Sequence, residues 1–257
     1  FPYASKFIES VDVSFKKLQA IAADPPKWDN SSAALAFVSR TSIEASLVDS
    51  VADHFAEKIR VNCAHRGEVS PSAMWDTIRT KTAGNFPDSA AMRSKLVYSQ
   101  VRGCEIFNCA LATYLFTRYG ANNVLDCSAG WGSKLIAAHA AGVKSYRGWN
   151  RNDDLQNVYL SIGTSIGEMV NVDWEISDVS IASDSAGVNF APDGDMLATF
   201  DTAFLATHYD EDDEWVIPAA QRASAGLSVG GTFIACVSYD LFETIHGVML
   251  DSGNYHF

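Results

Sequence analysis

Positive charge is scarce in the second half of this 257-residue chain: after Gly120, 5 Lys and Arg stand against 19 Asp and Glu, a net of −14, whereas residues 1–120 carry 14 against 12, a net of +2. A nucleic-acid backbone is held by Lys and Arg that displace its counterions. Direct DNA or RNA binding by the acidic half is therefore not expected, and the N-terminal half or a partner would have to supply it. Acidity that only keeps the surface soluble gives the same count. No run of about 18 apolar residues occurs, so no membrane-spanning helix is expected. The five cysteines, Cys63, Cys104, Cys109, Cys127 and Cys236, include no short-spaced metal-binding pair, and no metal site is predicted. Their odd number and scatter favour a reducing, intracellular compartment, whether cytoplasm, mitochondrial matrix or virus particle. Paired carboxylates and a Ser/His/Asp spacing are also missing. The first residue is Phe1, not methionine, as expected of a processed product or a partial chain.

What the chain does have is apolar content, 47%, enough to bury the core of one large domain, with or without an extension. Residues 1–120 read as helical. From Ser5 to Ala23, Phe7, Ile8, Val11, Phe15, Leu18 and Ile21 recur at helical spacing, and Asp24-Pro25-Pro26 stops the run. Further helices are expected near Ser31–Val38 and over Thr41–Val61, where Ile43, Leu47, Val51, Phe55 and Ile59 share a face. Ser70-Pro71-Ser72 opens another that turns Met74, Trp75 and Ile78 inward, and Asp88–Tyr119 holds one or two more.

After Gly120 strands alternate with helices, the pattern of a parallel sheet covered on both faces. Strands are expected near Asn123–Asp126, Ser145–Trp149, Val172–Ile176, Thr202–Leu205 and Thr232–Val237. Helices are expected near Ser133–Ala141, Asp153–Ile166, Glu214–Ser224 and Leu241–Leu250. Ser180–Asp195, rich in Ser, Asp and Gly, reads as a loop or a poorly ordered helix.

The sharpest local signal is Val124–Gly132, Val-Leu-Asp-Cys-Ser-Ala-Gly-Trp-Gly, where an apolar strand runs into a small-residue turn that opens a helix. Gly130 and Gly132 lack a Cβ, so the backbone can take positive φ and a ligand can come close, while the helix N-terminus offers N–H groups. Asp126 closes the strand, where open α/β sheets place ligand contacts. Lys144–Tyr159 then gives a second strand and helix, with Asn150 at the strand tip about 20 positions beyond the glycines, where Rossmann-like units hold a ribose hydroxyl. Trp131 and Trp149 flank this place, either against a ligand or in the core. Cys127 has no cationic helper nearby in sequence, so a reactive thiolate is not expected. His139 is expected on the surface of the first helix after the turn.

These segments resemble the class I S-adenosylmethionine-dependent methyltransferases, and more narrowly the phage and giant-virus type whose first motif reads Asp-x-x-Ala-Gly-Trp-Gly. The resemblance extends to Arg102–Tyr119, taken as an apolar helix before the motif, and to Phe200–Asp240. It implies a Rossmann-like α/β sheet of order 3-2-1-4-5 over residues 101–257, with residues 1–100 as a helical N-terminal extension. It also implies S-adenosylmethionine as cofactor, held by the first motif (Asp126, Ala129, Gly130, Trp131 and Gly132), by Asn150 and by Asp178. Asn150 departs from the acidic residue the family normally carries, keeping an acceptor oxygen without the charge. Asp178 matches the place of an adenine contact, although an Asp capping the next helix reads equally well. Family members finish the sheet with two further strands that residues up to Phe257 do not supply. Either the sheet ends early, with the fifth strand at an edge, or the missing edge lies in residues beyond those given; an uncovered edge would invite a protein partner.

The resemblance places the methyl acceptor at the end of the fourth strand. The base-amino enzymes carry a polar residue followed by Pro-Pro-Tyr there, whereas this chain has Ala206-Thr207-His208-Tyr209 and keeps only the aromatic. His208 is the candidate general base and Tyr209 the platform for a flat acceptor. The alternative is a solvated acidic loop, Asp210–Glu214, leading into a helix N-terminus. That acidic run would repel a polyanion and favours a cationic, neutral or protein acceptor. Two functions are carried forward: methyl transfer to an unidentified acceptor, and a catalytically inactive methyltransferase fold serving as a structural or interaction subunit.

Overall fold

The computed structural model describes residues 11–25, 51–52, 54–64, 68–104, 106–150, 152–167, 172–178, 200–206 and 213–251. The helix expected near Ser31–Val38 and the stretch Ser180–Asp195 lie outside them.

Helix α1 spans Val11–Ala23 and buries Ser14, Phe15 and Leu18. Helix α2 covers 51–60, residue 53 apart, within the run expected over Thr41–Val61. Helix α3, Pro71–Lys81, starts where Ser70 accepts a hydrogen bond from the Ala73 N–H and Pro71 supplies a preset φ at the first turn. Helix α4, Ala90–Tyr98, is capped in the same way by Ser89. Helix α5 runs over Cys109–Arg118, with Asn108 Oδ1 taking the Leu111 N–H at 2.7 Å. The helix expected from Arg102 thus begins seven residues later. Residues 102–104 instead cross back to the end of α2, where Gly103 bridges Ala64 and the Arg60 guanidinium donates to the Cys104 carbonyl at 2.8 Å.

The second half alternates as its periodicity requires: β1 Asn123–Asp126, α6 Ser133–Ala141, β2 Ser145–Asn150, a short 3-10 turn Asp153–Leu155, α7 Gln156–Gly167, β3 Asp173–Asp178, β4 Phe200–Ala206, α8 Asp213–Gly226, β5 Leu227–Cys236 and α9 Tyr239–Asp251. The five strands form one parallel sheet in the order β3-β2-β1-β4-β5. β5 starts five residues earlier than its apolar run indicated, and its pairing with β4 shifts register between Phe200 and Thr202. Among the described residues no strand pairs with its outer side, and Val229, within the irregular stretch of β5, is fully exposed.

Strand side chains alternate between faces and so divide the core in two. Val124, Tyr146 and Phe204 point to one face, where α1, α2, α5, α6 and α7 cover them. Leu125, Ala203 and Leu205 point to the other, under α8 and α9. Phe15, Leu18, Val51, Ala52 and Ala56 are fully buried in the first of these cores, so α1 and α2 help close the sheet. Helices α3 and α4 instead gather around Trp75, Val97 and Val101 in a small cluster of their own. A disulfide between Cys63 and Cys104 closes the base of that excursion. Such a bond is commonest in oxidising compartments and gives the expected reducing compartment no support. No described helix is long and apolar enough to cross a membrane.

Candidate functional site

The turn after β1 lies where the sheet order reverses direction, between β1 and β4. It is stitched to both neighbouring strand tips. The Cys127 N–H donates to the Phe204 carbonyl and the Ala129 N–H to the Trp149 carbonyl, each at 2.9 Å, and the Ala206 N–H donates to Ser128 Oγ at 2.9 Å. Gly130 and Gly132 both take positive φ, +57° and +87°. A Cβ on Gly132 would sit 2.5 Å from Ile162 Cδ1, so this glycine lets α7 pack against the turn. Around Gly130 a Cβ would meet, among the described residues, only the Ser128 carbonyl, at 3.5 Å, so none of them blocks a close approach there. Gly132 is also the N-cap of α6, which carries no side-chain cap.

Beneath the turn is a buried polar network. Asp126 is fully buried; its Oδ1 accepts from the Ser128 N–H at 2.9 Å and from the Ser128 hydroxyl at 3.2 Å, and its Oδ2 accepts from the Tyr146 hydroxyl at 2.5 Å. Lys134, 2% exposed, reaches down from α6 to within 3.5 Å of Asp126 Oδ1 and donates to the Ser128 carbonyl and hydroxyl. Its ammonium lies 5.4 Å from the ring centres of both Phe107 and Phe204, close enough for the ring faces to stabilise it. Burial, and then the Asp126 charge, push the Tyr146 phenol well above its usual range, so it stays protonated and donates. The Cys127 thiol has Lys134 and Arg222 as cationic neighbours in space, but burial and Asp126 outweigh them and hold it well up. It is an inert core thiol.

Asn150 lies beside the turn and is engaged with it. Its amide donates to the Gly130 carbonyl at 2.8 Å and to the Tyr159 hydroxyl, and its Oδ1 accepts from the Asn152 N–H at 3.1 Å. Tyr159, buried on α7, donates its hydroxyl to the same Gly130 carbonyl at 2.5 Å. Trp149 is buried in the core under α8, and Trp131 is partly buried against the opposite core. Asp178 ends β3 in register with Asn150, its side chain outside the description. His208 and Tyr209 also lie outside the described residues, two and three positions beyond Ala206.

His139 corrects its expectation. It is 1% exposed, its Nδ1 sits 2.8 Å from the Leu135 carbonyl, and its Nε2 has no partner among the described residues. α6 is buried on nearly every side because α5 and α7 flank it, so the polar residue does not mark an outer face. Lys134, Tyr146, Tyr159 and Ser128 were missed by sequence reasoning for a related cause: each acquires its role from a partner on another element. A cavity of about 580 Å³ lies away from the turn, between Glu68, Met74, Tyr98 and Arg102 in the α3–α4 excursion. No cluster of three metal-ligating side chains occurs among the described residues.

Sheet order, turn and flanking helices define a Rossmann-like α/β protein. No protein-family model and no curated protein matches the chain. Solved structures similar to it include the ribosomal protein L11 methylase from Lactobacillus delbrueckii subsp. bulgaricus, 18% identical with a TM-score of 0.39 over 55% of this chain and 66% of that one. An O-methyltransferase family protein from Burkholderia thailandensis is 11% identical, TM-score 0.35, over 87% and 76%. The mitomycin 7-O-methyltransferase MmcR is 13% identical, TM-score 0.37, over 92% and 70%. The chain spans less than two thirds of the first of these.

Proposed function

We propose that the chain binds S-adenosylmethionine at the 128–132 turn and transfers its methyl group to an acceptor seated beyond the tip of β4. The observation that carries this reading is the meeting of three features at one point. The turn stands at the switch of strand order, where open α/β sheets bind ligands; no described residue blocks close approach to its Gly130 backbone; and a helix N-terminus without a side-chain cap follows it. These residues fit the cofactor, which supplies an electrophilic sulfonium-bound methyl group. Ala129, Gly130, Trp131 and Gly132 would hold it, with Asp178 beside Asn150 at the neighbouring strand tips. Asp126, buried with both oxygens engaged, would shape the turn from below without touching the ligand. Ser128 ties the turn to Ala206, so the proposed acceptor residues His208 and Tyr209 follow directly from a strand end that the turn fixes. Methyl transfer is an in-line displacement that needs proximity and alignment more than a strong base.

A second reading has its own observation. The polar groups of the motif are turned inward and satisfied by one another, as they would be in a fold retained as a subunit of an assembly. The outer side of β5, unpaired among the described residues, and the N-terminal helices would then meet a protein partner. Titration calorimetry with S-adenosylmethionine separates the two. Micromolar binding abolished by Gly130→Val supports the enzyme, and no binding at millimolar cofactor by the folded chain leaves the subunit.

A further inference from the structure

We infer that Asn150 and Tyr159 are positioning residues: together they clamp the Gly130 carbonyl and so orient the Gly130–Trp131 peptide toward the ligand. The inference rests on the proposed cofactor site and assigns Asn150 a different task from gripping a ribose. Two donors converge on the Gly130 carbonyl, Tyr159 Oη at 2.5 Å and Asn150 Nδ2 at 2.8 Å, and the Asn150 amide also donates to that same tyrosine hydroxyl. Three groups thus close a triangle in which the tyrosine accepts from Asn150 and donates to Gly130. The asparagine's Oδ1 accepts from the Asn152 N–H, so each end of the amide is engaged within the protein, with one lone pair of the oxygen left over.

The consequence for a ligand follows from peptide geometry. No peptide bond here is cis, and in a trans unit the N–H points opposite to the C=O. With the Gly130 carbonyl drawn inward, the Trp131 N–H is directed outward. Among the described residues no acceptor takes that N–H, and none but the Ser128 carbonyl comes within 4 Å of a Cβ placed on Gly130. Tyr159 is suited to such a clamp. Burial raises its phenol far above the ordinary value, so it remains a donor throughout the working pH range, although the Asn150 hydrogen bond acts in the opposite direction.

An amide, not a carboxylate, is what the clamp requires at position 150. A carboxylate has no hydrogen to give the Gly130 carbonyl; it would face that oxygen with a charge and draw the Tyr159 hydroxyl to itself. Asn150→Asp is therefore a test of sign. If Asn150 gripped ribose hydroxyls, the added charge would tighten S-adenosylhomocysteine binding; the clamp requires that it weaken binding, by about tenfold for one lost hydrogen bond. Tyr159→Phe removes the other donor and should weaken S-adenosylhomocysteine by a similar factor. It should leave 5′-methylthioadenosine, which lacks the amino-acid end expected to meet the turn, unchanged. Calorimetric titration of the wild-type chain and both variants with the two ligands, each variant first shown by thermal unfolding to be folded, decides the matter. Tighter binding by Asn150→Asp, or equal losses for both ligands in Tyr159→Phe, overturns the clamp while leaving the cofactor site standing. Absence of binding by the wild-type chain overturns the cofactor site and the clamp with it.

Discussion

Lys134 Nζ and Asp126 Oδ1 lie 3.5 Å apart beneath the glycine turn, their side chains 3% and 0% exposed. Taking two charges out of water costs several kcal/mol each, and only their mutual attraction and the surrounding hydrogen bonds from Ser128 and Tyr146 offset it. The pair is thus not a simple gain in stability, but breaking it from one side is costly. Lys134→Met should strand the carboxylate and lower unfolding free energy by about 3–5 kcal/mol. Adding Asp126→Asn to that variant should recover part of the loss, since it removes the stranded charge. Urea denaturation of the two single variants and the double variant checks this, and additive losses would show that the charges are not coupled.

Burial lowers the His139 pKa below its ordinary value, against the opposing effect of the Leu135 carbonyl. The unfolded chain then binds a proton that the folded chain refuses. The histidine's neutral-state contribution is complete above the unfolded value, about 6.5, and is lost as pH falls below it toward the depressed folded value. Unfolding midpoints measured between pH 8 and pH 5 should therefore drop on the acidic side. In His139→Leu that drop should shrink, since nothing remains there to protonate; an unchanged pH profile would place the acid sensitivity elsewhere.

The Cys63–Cys104 disulfide spans 41 positions and encloses α3 and α4, which share only a small core. Closing a loop of that length restricts the unfolded chain by about 4 kcal/mol in the chain-entropy account. Cys104→Ser should lower stability by roughly that amount, and protease nicks should appear first within residues 68–103. Nicking that begins in the sheet instead would show that the excursion is held by its other contacts.

Much of the sheet half was legible because strand and helix periods are local properties. Val124 and Leu125 face opposite cores as alternation requires, and Ser133–Ala141 is helical over the whole expected span. The glycines of the turn were legible for the same reason, since positive φ at Gly130 and Gly132 is a demand of the turn itself. What escaped is set by distant partners. Nothing near Lys134 in sequence says that its ammonium ends among Ser128, Phe107 and Phe204, and nothing near Cys63 names Cys104. A polar residue on a helix reads as an outer one, which is why the sequence puts His139 at the surface, whereas α6 is enclosed. The roles of His208 and Tyr209 rest on the resemblance alone.

The two glycines of the turn should respond differently to the same change. Both take positive φ, which costs an alanine about 1–2 kcal/mol. At Gly130 that is nearly the whole cost, because among the described residues the new methyl would meet only the Ser128 carbonyl, in ordinary contact. At Gly132 the methyl would press on Ile162 Cδ1 at 2.5 Å and approach the Tyr159 ring at 3.6 Å, so α7 must shift, adding about 1–3 kcal/mol of overpacking. Gly132→Ala should therefore be the less stable variant by thermal unfolding. Its damage should also spread to ligand binding, because displacing Tyr159 loosens its hold on the Gly130 carbonyl. Gly130→Ala should keep most of its stability yet lose affinity for S-adenosylmethionine, since the methyl stands where the ligand must approach. Equal stabilities for the two variants would mean that α7 does not lean on the turn as closely as its packing indicates.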